Sequence, residues 1–297
     1  MAINSVVNFI KALKKFPREK EFEYYFRGHS DFNFTPLPSI YRTPAHKRIN
    51  PFIKNEDKIF REVILRTPSE FNSEKTTIEK LVKMQHYGLP TRILDITSNP
   101  LVALYFACTE KLNNNDGEVI VLKIPKNEVK FYDSDTVSIL ANLSKRPISF
   151  DITEMLDHYY QNESEEYPAT ILKWFNDQDH IAYLLHEIKD EKPHFQPVIN
   201  PSDFNKVIAV KVKLNNSRIL KQGGAFLLFG VTEKKANPAQ VPSNWILNKS
   251  FKNFNLKILA EKKNSILKDL DALGINDSTL YPELEKQTKY IKQMYSN

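Results

Sequence analysis

The stretch Lys83-Met84-Gln85-His86-Tyr87-Gly88-Leu89-Pro90-Thr91-Arg92-Ile93-Leu94-Asp95-Ile96-Thr97-Ser98-Asn99-Pro100 decides how this chain is read. It joins two apolar helices and crowds amide and ionisable groups where packing alone asks for none. Upstream, Ile78, Leu81, Val82 and Gln85 recur at i, i+3, i+4 and i+7, the stripe of an amphipathic helix. Thr76 and Glu79 have capping-box spacing, and Gly88 followed by Pro90 ends the helix. Gln85 thus puts an amide on the buried stripe, and a buried amide requires partners. Downstream, Asn99 reads as an N-cap and Pro100 as a first helical residue, with Leu101, Leu104, Tyr105 and Cys108 on one face. Between the helices, Arg92 to Thr97 is too short for a helix and reads as a strand. Arg92, Leu94 and Ile96 face one way; Ile93, Asp95 and Thr97 face the other. Asp95, Thr97 and Ser98 therefore sit where a strand runs into a helix N-terminus, whose free N–H groups and positive dipole end suit an anion.

Working outward, Ile3, Val6, Val7, Ile10 and Leu13 predict an opening helix, and the alternation of Phe22, Tyr24 and Phe26 predicts a strand. That alternation turns Tyr25 and Arg27 to the opposite face, just before Gly28 permits a bend. Ile59, Phe60, Val63 and Ile64 mark another helix. Further strands are expected over Val119 to Ile124, Val207 to Leu214, Ala225 to Phe229 and around Leu256 to Leu259. From Asp151 to Asn200, helical apolar spacing, the loop Asn162-Glu163-Ser164-Glu165-Glu166 and several prolines predict a helical insert. Over residues 260–297, Ile266, Leu267, Leu270 and Leu273 stop at Gly274, and Leu284, Ile291 and Met294 follow, a packed helical cap. The expected fold is α/β of the α+β type. One domain over residues 1–297 carries a mixed, mostly antiparallel sheet flanked by helices, with the insert at 151–200 and a C-terminal helical pair.

Composition fits a globular chain: 297 residues, 41% hydrophobic and 26% charged, are enough to bury a sizeable core. A single cysteine, Cys108, excludes an internal disulfide and predicts a reducing, cytoplasmic setting. No basic leader precedes an apolar run and no segment has the length of a membrane span, so membrane insertion is not expected. The net charge of +6 is small beside 42 basic and 36 acidic residues, and the Lys14-Lys15, Lys234-Lys235 and Lys262-Lys263 pairs are isolated. No nucleic-acid motif accompanies them. His158, His180, His186 and His194 lack i, i+4 spacing, so no metal site is expected.

Read together, Tyr25-Phe26-Arg27-Gly28-His29-Ser30, the opening stretch and Gln222-Gly223-Gly224-Ala225-Phe226-Leu227 resemble the FRG-domain family, named for its Phe-Arg-Gly signature. The motifs stand in the family's order, and Gly274-Ile275-Asn276 with Leu280-Tyr281-Pro282-Glu283-Leu284 resembles the family's ending. The family brings no settled reaction. A fainter resemblance is to ADP-ribosyltransferases: a strand with an arginine before a glycine, then Thr97-Ser98 leading into a helix, then Gln222-Gly223-Gly224 opening a later strand. That resemblance implies NAD as the ligand, held by Arg27 and Gly28, with Thr97 and Ser98 ordering the site and Gln222 in the place of the usual glutamate. Gln85 and Arg92 join the expected NAD-binding set.

A glutamine cannot put negative charge beside a cationic transition state, normally the largest catalytic contribution. Asp95 is the candidate to supply it, with His29 or His86 as acid or base because histidine titrates near neutrality. The resemblance further implies an NAD-using enzyme that modifies a protein or nucleic-acid acceptor, or hydrolyses NAD, as a toxin or effector in bacterial antiviral defence. The alternative is a non-catalytic module recognising a nucleotide, nucleic acid or protein through the same cleft. At the level of single residues, His29 capping a turn, Gln222-Gly223-Gly224 forming a bulge, and Arg92 pairing with Asp95 inside the core are the structural alternatives.

Overall fold

The structure, a computed structural model, describes all residues except 1, 16–17, 45–46, 48, 110–114, 164–167, 215–216, 251–255 and 296–297. Ser164 to Glu166 of the expected acidic loop lie outside the described residues. The strands are β1 (Ala2–Ile3), β2 (Phe22–His29), β3 (Ile93–Thr97), β4 (Gly117–Pro125), β5 (Val129–Phe131), β6 (Val207–Lys211), β7 (Gly224–Phe229) and β8 (Lys257–Ile258). They form one sheet in the order β1-β8-β4-β2-β3-β7-β6-β5. Only the β1–β8 and β5–β6 pairs are parallel, so the sheet is mixed and mostly antiparallel, as expected.

Alternation along the strands gives the sheet two apolar faces. On one, Tyr25, Leu94, Ile96, Ile120, Leu122 and Leu227 pack beneath Ile40, Tyr41, Ile53 and Trp245. The other face carries two cores side by side. Phe26, Val119 and Val121 pack against Val102, Ala103 and Leu104 and against Ile266, Leu270 and Leu280 of the C-terminal segment. Ile93, Phe226, Leu228 and Ile208 pack against Ile78 and Leu81, and against Leu156, Phe175 and Leu184 from the 151–200 region. That region is helical at Thr153–Asn162, Pro168–Asn176 and Asp179–Lys189. Helix already begins at Asp135–Asn142, upstream of the expected boundary.

The deciding stretch folds as its punctuation dictates. The helix Thr77–His86 starts with both halves of its capping box formed, and Gly88 takes φ +86° past its end. Leu101 N–H donates to Asn99 Oδ1 at 3.0 Å to open the helix Pro100–Thr109. Three expectations are corrected. Ile3 belongs to β1, pairing with Ile258, and the opening helix is Val6–Leu13. β6 ends at Lys211. β2 runs straight through Gly28, whose lack of a side chain serves packing: a Cβ there would lie 2.0 Å from the Ala103 carbonyl oxygen, so the Pro100–Thr109 helix approaches as closely as it does only over glycine.

Candidate functional site

The site is built by a split in the sheet. β2 pairs with β4 from Phe22 to His29 and β3 pairs with β7 from Ile93 to Thr97, yet β2 and β3 pair only at Phe26 and Thr97. Beyond that point the two strands part, and the boundary between the two side-by-side cores lies beneath. A cavity of about 400 Å³ opens there, with Arg27, Gly28 and His29 on one bank and Asp95, Ile96 and Thr97 on the other. Where main chains no longer meet, a side chain bridges them: Arg27 Nη1 donates to the Asp95 carbonyl at 2.7 Å.

Arg27 is steered from behind. Its Nε donates to His29 Nε2 at 3.0 Å, two residues along the same face of β2. Accepting that bond puts the imidazole proton on Nδ1, which lies buried against the Phe34 backbone without a full hydrogen bond. Burial, together with Arg27 and Arg42, pulls the His29 pKa down to about 3. His29 is therefore neutral with its Nε2 lone pair turned to Arg27, a geometry that orients the guanidinium. Burial and Arg42 also lower the Arg27 pKa, while Asp95 raises it. The guanidinium stays cationic at neutral pH, and both its acceptors are neutral.

On the opposite bank, Asp95 Oδ2 accepts from Gln85 Nε2 at 2.6 Å, and Gln85 Oε1 accepts from the Thr91 hydroxyl. The amide from the helix stripe thus finds both partners and aims the carboxylate, which is exposed to the cleft. Thr97 Oγ1 donates to the Gln222 carbonyl at 2.5 Å, and Ser98 N–H donates to the Gly223 carbonyl at 2.9 Å. Thr97 and Ser98 thereby pin the turn that enters β7. Gln222 ends the helix Ser217–Gln222 and does not begin the strand, because Gly223 turns the chain at φ +56°. Its side chain lines the cavity and donates to the Leu280 carbonyl at 3.1 Å.

Arg92 is the main correction. It lies apart from the cavity lining and is fully buried on the other face of β3, where it makes a bidentate pair with Glu56: Nε to Oε1 at 2.9 Å and Nη2 to Oε2 at 2.5 Å. Lys235 Nζ joins the same carboxylate at 3.1 Å. Neither an Arg92–Asp95 pair nor a ligand role for Arg92 survives this geometry. Parity alone separates Arg92 from Asp95, since odd and even residues of a strand leave opposite faces.

Several lining residues had no local signal. Arg42 follows a short turn at Ser39–Tyr41, Phe34 sits edge-on to His29, Arg218 comes from the helix before Gln222, and Tyr281 from the C-terminal segment. Glu283 stands 3.3 Å from His86 Nε2. Burial, Arg218 and Lys83 lower the His86 pKa against the raising effect of Glu283, leaving a neutral ring able to take up a proton. The Leu280-Tyr281-Pro282-Glu283-Leu284 stretch is the one sequence hint that the C-terminal segment bears on the cleft. The lining therefore holds three arginines, two histidines of depressed pKa and a single carboxylate, Asp95, among the described residues. Among the described residues no helix is long and apolar enough to cross a membrane.

Comparison with known proteins finds a family match over part of this arrangement. Residues 22–116 match the family model described as FRG domain, a span from β2 to the residue before β4 that includes both banks of the split. No curated protein and no solved structure matches the chain.

Proposed function

We propose that this chain, which matches the FRG-domain model over residues 22–116, uses the split between β2 and β3 to bind NAD and acts as an ADP-ribosyltransferase-like enzyme. One observation carries the reading: Arg27, Asp95, Thr97 and Gln222 come together on one cleft although they are far apart in sequence. Three arginines against one carboxylate leave the lining cationic, which fits a phosphate-bearing ligand. Phe34, Phe106 and Tyr281 add aromatic surface for planar rings, and the volume lies in the range of small-molecule sites.

Within that reading, Arg27 and Arg42 hold phosphoryl oxygens, and His29 keeps the Arg27 guanidinium turned toward them. NAD, when bound, supplies a ribose–nicotinamide bond whose cleavage builds positive charge on the sugar. Asp95 is the lining carboxylate able to oppose that charge, and Gln85 fixes its orientation. His86 is the neutral ring in reach of the cleft that can accept the acceptor's proton. A toxin or antiviral effector with this activity would slow growth when expressed and lower cellular NAD.

The second reading, a non-catalytic nucleotide-binding module, is favoured by Gln222, which stands in the expected glutamate's place and commits its amide to Leu280. Incubation with NAD labelled in the adenylate moiety and, separately, in nicotinamide decides between them. The enzyme reading expects free nicotinamide together with label on an acceptor or as ADP-ribose. Tight NAD binding without nicotinamide release selects the module, and no binding of NAD removes the enzyme reading.

A further inference from the structure

Gln85, Thr91 and Asp95 form a chain of hydrogen bonds whose direction is fixed from both ends. A carboxylate only accepts, so Gln85 turns Nε2 toward Asp95 Oδ2, at 2.6 Å. The amide carbonyl is then left facing back into the protein, where the Thr91 hydroxyl donates to it. Thr91 is 2% exposed, so that hydroxyl has no water to turn to, and among the described residues Gln85 is its one hydrogen-bond partner. Reversing the amide would set its oxygen against the Asp95 carboxylate and leave the Thr91 O–H without an acceptor. Both consequences are costly for half-buried and buried groups.

Thr91 is the rigid member of the chain and Gln85 the one that needs setting. Past the end of the Thr77–His86 helix, Gly88 N–H donates to the Gln85 carbonyl at 2.9 Å and Leu89 N–H to the Met84 carbonyl at 3.0 Å, and the chain doubles back over Gln85. Arg92, next to Thr91, is tied to Glu56, and its own carbonyl accepts from Phe229 N–H at 3.3 Å. The buried pair therefore anchors the segment that presents the hydroxyl. Gln85, by contrast, is a long side chain with rotamer freedom to lose. At the far end the Asp95 main chain is held too, its carbonyl accepting from Arg27 Nη1 at 2.7 Å. Asp95 Oδ2 is taken by Gln85, while Oδ1 accepts no hydrogen bond among the described residues.

We infer that Thr91, which stands behind the cleft lining, is a positioning residue for Asp95: its hydroxyl sets the sense of the Gln85 amide, the amide holds Oδ2, and Oδ1 is the oxygen left for a ligand. The inference deepens the enzyme reading and rests on it for the reaction that Asp95 serves. The hydrogen-bonded chain itself is tested without NAD. Substitution separates a donor role from a packing role, because Thr91→Val keeps the shape and removes the hydroxyl, whereas Thr91→Ser keeps the hydroxyl and removes a methyl group.

The test is hydrogen exchange of the Gln85 side-chain amide in the full chain, followed by NMR on protein carrying isotope-labelled glutamine, with the exposed Gln161 as internal reference. In wild type the Gln85 amide protons are expected to exchange at least about 10-fold more slowly than those of Gln161, the scale of one hydrogen bond to a charged group. Thr91→Val is expected to remove most of that protection and Thr91→Ser to keep it within about 3-fold. If the valine variant does not fold, Thr91→Ala against Thr91→Ser repeats the comparison, since those two differ by the hydroxyl alone. Wild-type exchange as fast as that of Gln161, protection unchanged in Thr91→Val, or protection lost equally in Thr91→Ser overturns the inference. Nicotinamide release from NAD gives the second readout: Thr91→Val is expected to lower kcat about 10-fold with KM within about 3-fold, and Thr91→Ser to restore kcat. Turnover that stays at the wild-type level in Thr91→Val while its amide protection is lost also overturns the positioning role. Wild type that releases no nicotinamide, with the exchange pattern as expected, overturns the enzyme reading and leaves Thr91 as the residue that orients Asp95.

Discussion

Arg27 in β2 and Arg92 just before β3 leave the sheet on the same face, yet their surroundings are opposite. Arg92 meets the Glu56 carboxylate with two hydrogen bonds, shares it with Lys235, and has no water contact. Burial pushes the Glu56 carboxyl up, but Arg92 and Lys235 outweigh it and hold the group below the usual carboxylate range. Arg27 is half-buried and its acceptors are a carbonyl and a neutral imidazole. A guanidinium satisfied by a carboxylate is electrically closed, whereas one oriented by neutral acceptors keeps its charge uncompensated by those acceptors. Partner charge, like burial, therefore distinguishes Arg92, closed by Glu56, from Arg27, to which the proposed function gives the recognition role.

The comparison breaks most visibly at Arg92. Arg92→Ala strands Glu56 in the core, and a loss of about 3–5 kcal/mol is expected, as for other buried pairs with one partner removed; chemical denaturation that shows less than about 1 kcal/mol would make Arg92 no more structural than Arg27. Next in size is Asp95→Asn, which keeps shape and the Gln85 contact and removes charge. Turnover is expected to fall by about 2.7–4 kcal/mol with binding retained, and single-turnover kinetics showing an unchanged chemical step would take Asp95 out of the reaction. Smaller again, for each pH unit, is an effect at His29. Its folded pKa lies near 3 and its unfolded value near 6.5, so the unfolded chain takes up the proton first. Stability is therefore full above pH 6.5 and is lost toward pH 3, by at most about 1.4 kcal/mol for each pH unit. His29→Gln should flatten that slope in melts taken across this window; an unchanged slope would show that His29 is not the group responsible.

What local sequence rules describe, the chain reveals early. The Thr76–Glu79 capping box, the Asn99-Pro100 helix start and the period-two alternation around Phe26 all fold as written, because each depends on residues a few positions apart. Gln85 likewise falls on a stripe that needs partners and finds them in Asp95 and Thr91. What failed depends on distance. Glu56 lies 36 residues before Arg92 and carries no spacing that announces the pair. Arg42, Arg218 and Tyr281 reach the cleft from a turn, a short helix and the C-terminal segment, whose placement only the assembled sheet decides. Gly28 was read as a hinge because glycine permits bending, while the true demand on it, the close approach of Ala103, comes from a helix 75 positions further along.

The central claim is that the split between β2 and β3 is a nucleotide site organised by Arg27. Isothermal titration of ADP-ribose into wild type and Arg27→Ala, with melting curves of both, tests it most directly. The account expects Arg27→Ala to weaken binding by about 10- to 100-fold, the scale of one lost hydrogen bond to a charged group, while the melting temperature shifts by no more than a few degrees. Unchanged affinity, or a collapse of stability on the scale expected for Arg92→Ala, would contradict it.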